Sequence, residues 1–386
     1  MNHATKKKVS APHRHGEKLL FTPGPLTTSL TVKQAMLRDL GSRDQEFTGL
    51  IREIREQLLR LAGVGEPEHT CVLMQGSGTF AVEAVLSSVI PAQGKLLVIA
   101  NGAYGTRMAQ IAKTLKISTQ ILEFAETDKP SLPQVNAALW QDRGITHVGL
   151  IHCETTSGII NPVEEIGALA AKAGKIFIVD AMSSFGAMPL DMEKNHIHYL
   201  VSSANKCIEG VPGFAFVLAR RECLEAASGL ARSVSLDLSA QAKELDRSGQ
   251  FRFTPPTHAL AAFGQALREL EEEGGIKGRQ ARYRSNYETL VQGMRALGFR
   301  ELLPESNQGY IITSFLYPKH PDFRFEDFYA RLNQKNFVIY PGKVSRADCF
   351  RIGSIGRIFP EDVRALLAAI LESLNEMRIS LEVSLP

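Results

Sequence analysis

The sequence predicts an α/β fold: a mostly parallel, seven-stranded sheet with helices on both faces, followed by a smaller α+β domain at the C-terminal end. Three observations predict it. Seven short, apolar, β-rich runs between residues 70 and 218 alternate with helical stretches. Strands joined through helices run parallel, and a parallel sheet is buried on both faces. After a long helix ending near residue 275 this alternation stops, and a second long helix leads into a different pattern.

The elements follow in order. Phe47, Leu50, Ile51, Ile54, Leu58 and Leu61 recur at spacings of three and four, which predicts an amphipathic helix over 46–62. Thr70–Met74 reads as a short apolar strand, followed by a Gly-rich turn and a helix over Phe80–Val89. Lys95–Ala100, Thr119–Glu123, Thr146–His152 and Lys175–Asp180 read as further strands. Helices at Tyr104–Leu115, 132–142 and 163–173 lie between them. Tyr199–Ser203 and Phe214–Leu218 close the sheet region. A helix over His258–Glu273 ends at Gly274–Gly275, where glycine suits a helix terminus. A second helix over 278–297 leads to a strand at Ile311–Phe315, a helix at 325–334, strands at Phe337–Tyr340 and Cys349–Ile352, and a last helix at 360–377. The expected organisation is a flexible basic tail over 1–17, a large domain over 18–275 and a small α+β domain over 276–386. The first residues of the large domain are candidates to pack on the small one.

Composition excludes several function classes. Forty-four basic against 41 acidic residues give +3, so neither nucleic acid nor a membrane surface is the expected partner. No run approaches the ~18 unbroken apolar residues of a membrane-spanning helix. Cys71, Cys153, Cys207, Cys223 and Cys349 are odd in number, scattered and without a CxxC pair. They read as the reduced thiols of a cytoplasmic protein, not as a disulfide framework or a zinc site. The opening residues MNHATKKKVSAPHRHGE are basic and lack an apolar core, so they read as a solvated tail and not a secretory signal.

Three segments could carry chemistry. QGSGTF, residues 75–80, sets two glycines and two hydroxyls between a strand and a helix. Free N–H groups and hydroxyls at a helix N-terminus bind phosphate, although an ordinary capped turn looks alike. The spacing fits neither GxGxxG nor a P-loop. In KIFIVDAMSSFG, residues 175–186, an apolar run ends in Asp180. That is where the carboxyl end of a parallel strand offers a ligand site, or where a carboxylate caps a helix. In YLVSSANKCIEGVPG, residues 199–213, Lys206 follows a buried strand. Such a lysine either snorkels to the surface or forms an imine with its pKa depressed. Jointly, a phosphate cup, an acid for a pyridinium nitrogen and an imine-forming lysine are what pyridoxal 5'-phosphate requires. Smaller clusters read as structural. His196 and His198 lack partners for a metal, Cys207 reads as packing, and the Glu271–Glu273 run reads as a solvated helix end.

The chain resembles the fold-type I, class V aminotransferases over residues 18–380. The resemblance rests on LLFTPGPLTTS (19–29), GSRDQEF (41–47), QGSGTFAVEA (75–84), NGAYGTR (101–107), HCETTSGIINP (152–162), DAMSSFGAMPLD (180–191), SSANKCIEGVPGFAFVLAR (202–220), RFTPPTH (252–258) and FRIGSIG (350–356). TPGPLTTS, HCETTSGI and SSANKCIEGVPG are most similar to the 2-aminoethylphosphonate–pyruvate transaminase branch.

The resemblance implies a homodimeric pyridoxal phosphate aminotransferase of phosphonate degradation. Its small-molecule substrates would be 2-aminoethylphosphonate and pyruvate. It implies that Lys206 carries the cofactor and that Asp180 pairs with the pyridine nitrogen. Ser77, Gly78 and Thr79 then match the phosphate loop, Tyr104 the ring-stacking aromatic and Thr155 a hydroxyl on the ring oxygen. Asn205 precedes the lysine where related branches often hold Gln. Thr254 matches a hydroxyl reaching the phosphate from the neighbouring subunit, and Arg351 the arginine for the substrate's anionic group. The alternatives are an alanine–glyoxylate or serine–pyruvate aminotransferase, with the same machinery. A cysteine desulfurase needs a cysteine on a mobile loop, and Cys349 instead lies within an expected strand two residues before Arg351. A non-enzymatic binding protein has no use for the lysine and acid together.

Overall fold

A computed structural model describes residues 17–381. The tail expected over 1–17 lies outside the described residues, except for Glu17.

Seven strands form the large sheet: β1 (His69–Gln75), β2 (Lys95–Ala100), β3 (Ser118–Glu123), β4 (Ile145–Ile151), β5 (Ile176–Asp180), β6 (Tyr199–Ser203) and β7 (Phe214–Arg220). Their order across the sheet is β1-β7-β6-β5-β4-β2-β3. β7 runs antiparallel to both neighbours, and the other pairings are parallel. Connection chemistry explains the difference. Gly78–Val89, Ala103–Thr114, Leu132–Gln141 and Val163–Lys172 are crossover helices that return the chain to the same edge. Between β6 and β7 there is only a Gly- and Pro-containing turn, so the chain reverses directly. Lys206 lies in that turn.

The parallel arrangement sends the carboxyl ends of β1, β2, β4, β5 and β6 to one edge. The segments that follow those ends are 76–79, 101–107, 152–155, 181–184 and 204–206. This edge is where open α/β sheets bind ligands.

A second core lies around Phe21, Leu290, Phe299, Phe315, Phe328, Phe350 and Leu366. It packs on an antiparallel sheet of β8 (Ile312–Leu316), β9 (Tyr340–Pro341) and β10 (Cys349–Gly353). Phe350 meets the rings of Phe299, Phe315, Phe325 and Phe328 at 5.5–5.9 Å. Strand alternation then turns its neighbour Arg351 to the opposite face. Leu19–Leu20 pairs in parallel with Phe337–Val338, and Gly353 N donates to Phe21 O. The N-terminal segment is thereby built into this second core.

Several expectations are corrected. The strand expected over Phe337–Tyr340 is two pieces, because the chain changes partner at Ile339: Phe337–Val338 pairs with the N-terminal segment and Tyr340–Pro341 with β10. Helices Leu30–Gln34, Arg221–Ala226 and Leu238–Ser248 were not expected. Glu271 and Glu272 are exposed, but Glu273 is not a solvated helix end. It pairs with Arg279 and Arg282 at 2.7 Å each. Burial pushes its carboxyl up, yet the two guanidinium groups outweigh this and hold it at about 2. The same arginines pair with Glu209, three residues after Lys206, and so tie the lysine turn to the helix Gly275–Ala296. No helix among the described residues is long and apolar enough to cross a membrane.

Candidate active site

Lys206 and Asp180 meet at the carboxyl edge of the sheet. Asp180 is the last residue of β5 and only 6% exposed. Burial raises its carboxyl to about 7; the Met182 N–H, Lys206 and Arg107 favour the charged form, and Glu154 opposes it. Met182 N donates to Oδ1 at 3.0 Å. Burial lowers the Lys206 amine, against the pull of Tyr104, Cys207 and Asp180. Its Nζ donates to Pro23 O at 2.6 Å. Gly24 has φ +117°, and a Cβ there would stand 2.6 Å from Nζ, so the N-terminal turn closes over the amine only with glycine.

The turn after β1 leads into the helix Gly78–Val89. Ser77 stands at its N-cap position without a side-chain capping bond. The first turn thus offers N–H groups and a hydroxyl to an anion. A Cβ on Gly78 would fall 1.9 Å from Met182 Sδ, so glycine lets this loop close on the turn after Asp180. Arg107 Nη1 donates to Thr79 Oγ1 at 3.4 Å, which adds a cation beside the loop. Gln75 Nε2 donates to the carbonyls of Phe253 and Thr254 at 3.0 and 3.3 Å. Thr254 is therefore held next to its own chain's loop, at an exposed position.

Buried Glu154 organises the other side. Its Oε2 accepts from the N–H groups of Tyr104 and Gly105 at 3.1 and 3.3 Å, at the start of the helix Ala103–Thr114. Its Oε1 accepts from Thr156 N and Oγ1 at 3.1 and 2.5 Å. This clamp brings Tyr104 to Thr155. Burial pushes the Tyr104 phenol up, but the Thr155 hydrogen bond and the Lys206, Lys343 and Arg351 cations outweigh it and leave the pKa lowered. Arg351, on β10 and 5% exposed, donates from Nη1 to Thr155 O at 2.8 Å and from Nε to Pro341 O at 3.0 Å. Burial lowers its pKa. These two carbonyls fix the plane of the guanidinium.

Lys206, Asp180, Ser77, Gly78, Thr79, Tyr104, Thr155 and Arg351 all lie on or beside this edge. Asn205 is half-buried in the lysine turn. Sequence reasoning missed Glu154, Arg107, Lys343 and His152. Glu154, Arg107 and His152 lie inside the segments HCETTSG and NGAYGTR, but no local rule gives them partners. His152 is buried beside Asp180, its Nδ1 2.8 Å from Ser184 Oγ, with its pKa lowered to about 4 by burial. Cys207 Sγ donates to Ser183 O at 3.2 Å within the packing. Cys349 is buried in β10, its thiol pushed up by burial. His198 Nδ1 accepts from Phe177 N at 3.0 Å.

The donor set fits pyridoxal phosphate: an open helix N-terminus for a phosphate, a buried carboxylate that could pair with a basic ring nitrogen, and a desolvated amine coupled to that carboxylate.

The class V aminotransferase family matches residues 28–347. The 2-aminoethylphosphonate–pyruvate transaminase of Syntrophobacter fumaroxidans is 54% identical over 358 residues, covering 92% of this chain and 96% of that protein. The protein of that name from Aeromonas hydrophila subsp. hydrophila is 54% identical over 356 residues, covering 91% and 94%. The solved structure of ureidoglycine–glyoxylate aminotransferase from Bacillus subtilis matches with a TM-score of 0.86 at 23% identity, covering 98% of this chain and 97% of that one, a likeness of fold. The chain belongs to the class V aminotransferases, which work with pyridoxal 5'-phosphate.

Proposed function

We propose that the protein transfers the amino group of 2-aminoethylphosphonate to pyruvate, giving phosphonoacetaldehyde and L-alanine. The observation that carries this reading is the grouping of Lys206, Asp180 and Arg351 about Tyr104 and Thr155. The relatives' 54% identity over more than nine-tenths of the chain supports the substrate pair. Pyridoxal phosphate, when bound, carries the amino group and supplies the electron sink.

The chain's own residues do the rest. Ser77, Gly78 and Thr79, with Arg107 beside them, hold the phosphate at the helix N-terminus. Asp180 would pair with the pyridine nitrogen and keep a proton on it. Tyr104 would cover the ring, Thr155 would offer its hydroxyl to the ring oxygen, and Asn205 flanks the lysine. Lys206 would take a proton from the substrate carbon that bears nitrogen and release it on the cofactor's side, the net proton shift that leaves the amino group behind. A desolvated amine with a lowered pKa suits that base. Arg351 holds the anionic end of donor and acceptor in turn, since a guanidinium makes parallel hydrogen bonds to phosphonate or carboxylate.

In this reading residues 18–275 bind the cofactor and residues 276–386 form the small domain that contributes Arg351. The active unit is a homodimer in which Thr254 reaches the phosphate of the neighbouring subunit. Exposed Phe80 and Phe253 beside the phosphate loop support such an interface. The free thiols of Cys71, Cys153, Cys207, Cys223 and Cys349 support a cytoplasmic setting.

A donor panel tests the reading: 2-aminoethylphosphonate, L-alanine, L-serine and taurine against pyruvate and glyoxylate. The 2-aminoethylphosphonate–pyruvate pair is expected to have the highest kcat/KM. A higher value for L-serine with pyruvate, or for L-alanine with glyoxylate, overturns it.

A further inference from the structure

The two substrates proposed above differ in charge. A phosphonate, like a phosphate monoester, carries between one and two negative charges near neutral pH, whereas pyruvate carries one. Arg351 offers the same single positive charge to both.

A second cation stands beside it. Lys343 lies between β9 and β10, two residues beyond Pro341, the residue whose carbonyl holds Arg351. Its Nζ is 4.1 Å from the centre of the Tyr104 ring, and Tyr104 also feels Arg351 and Lys206. Lys343 makes no ion pair among the described residues. Its loop, rather than a salt bridge of its own, holds it there. Ser345 N and Oγ donate to Glu126 Oε2 at 2.7 and 2.9 Å, and Gly342 N donates to Cys349 O at 2.9 Å. The Ser345 bonds fasten the loop to Glu126, just past β3 of the large sheet, and the Gly342 bond ties it to β10, leaving Lys343 beside Tyr104 without an ion pair of its own among the described residues.

We propose that Lys343 is a second anion-binding group that answers the extra charge of a phosphonate and so sets the preference for a phosphonate donor over a carboxylate one. The proposal rests on the 2-aminoethylphosphonate reading and adds a residue to it. A compact ammonium suits this task, because it binds a phosphonate oxygen as a point charge without displacing the guanidinium fork. The competing role is structural: the lysine props the Tyr104 ring through its cation–π contact and affects both half-reactions alike.

The test uses the holoenzyme with Lys343→Met and Lys343→Arg. Each half-reaction is measured alone. The dissociation constants of ethylphosphonate and propionate, which carry no amine and do not react, are measured by calorimetry. Lys343→Met is expected to weaken ethylphosphonate and lower kcat/KM for 2-aminoethylphosphonate by about 10- to 100-fold, the scale of one charged hydrogen bond. Propionate and pyruvate change by less than about threefold, since one carboxylate charge is already met by Arg351. Lys343→Arg restores most of the phosphonate binding. Equal losses for phosphonate and carboxylate, or unchanged ethylphosphonate binding in Lys343→Met, overturn the proposal. A wild-type enzyme that ignores 2-aminoethylphosphonate defeats the reaction assignment instead, and the ethylphosphonate-to-propionate ratio still reports on Lys343.

Discussion

Replacing Asp180 by asparagine is expected to stabilise the cofactor-free protein at pH 8 while disabling the holoenzyme. Asp180 is 6% exposed, and burial lifts its carboxyl to about 7 from the ordinary 3.8. A rise of roughly 3 units at about 1.4 kcal/mol each means that the ionised side chain costs the fold up to about 4 kcal/mol. Lys206 and Arg107 already offset part of the burial cost within that value. An amide oxygen at the same position can still accept the Met182 N–H, so the variant keeps that bond.

The folded protein holds the Asp180 proton more tightly than the unfolded chain does. Stability is therefore unaffected below about pH 4, falls as pH rises toward about 7, and carries the full penalty above it. Urea titrations of the cofactor-free proteins measure the effect. Asp180→Asn is expected to gain about 2–4 kcal/mol over the parent at pH 8, and clearly less at pH 5. No gain at pH 8, or the same gain at both pH values, would refute the reasoning. With cofactor bound, asparagine cannot favour a proton on the ring nitrogen, and turnover should fall by several orders of magnitude.

Two further outcomes follow. Arg351→Ala should raise KM for 2-aminoethylphosphonate and pyruvate together, and Arg351→Lys, which keeps the charge but not the fork, should damage both half-reactions; a defect confined to pyruvate shows that the phosphonate is held elsewhere. Sedimentation at assay concentration should give a dimer, and Thr254→Ala should weaken cofactor binding; a fully active monomer removes Thr254 from the neighbouring site.

Asp180 and Lys206 are legible in the sequence because each follows an apolar run long enough to be a buried strand. The cores of most strands and helices are legible for the same reason, since hydrophobic periodicity is a local signal. The helix Leu238–Ser248 also had its signals: Asp237 caps it, Leu238, Ala242 and Leu245 face inward, and Gly249 ends it in the left-handed region. Its polar composition masks them. Arg221–Ala226 is too short to show a period. Glu154, Arg107 and Lys343 were not legible, because Tyr104, Gly105 and Thr79, which they meet, stand at the starts of helices far away in the sequence, and only the fold brings them together. Glu273 misleads for the converse reason: within an acidic run it looks solvated, and its arginines stand on the next helix.

The most direct measurement is borohydride reduction of the resting holoenzyme followed by peptide mapping of the fixed pyridoxyl group. The predicted result is one label, on Lys206, the desolvated amine facing Asp180, with Lys206→Ala binding cofactor but completing no turnover. A label on Lys343, Lys175, Lys194 or any other lysine contradicts it.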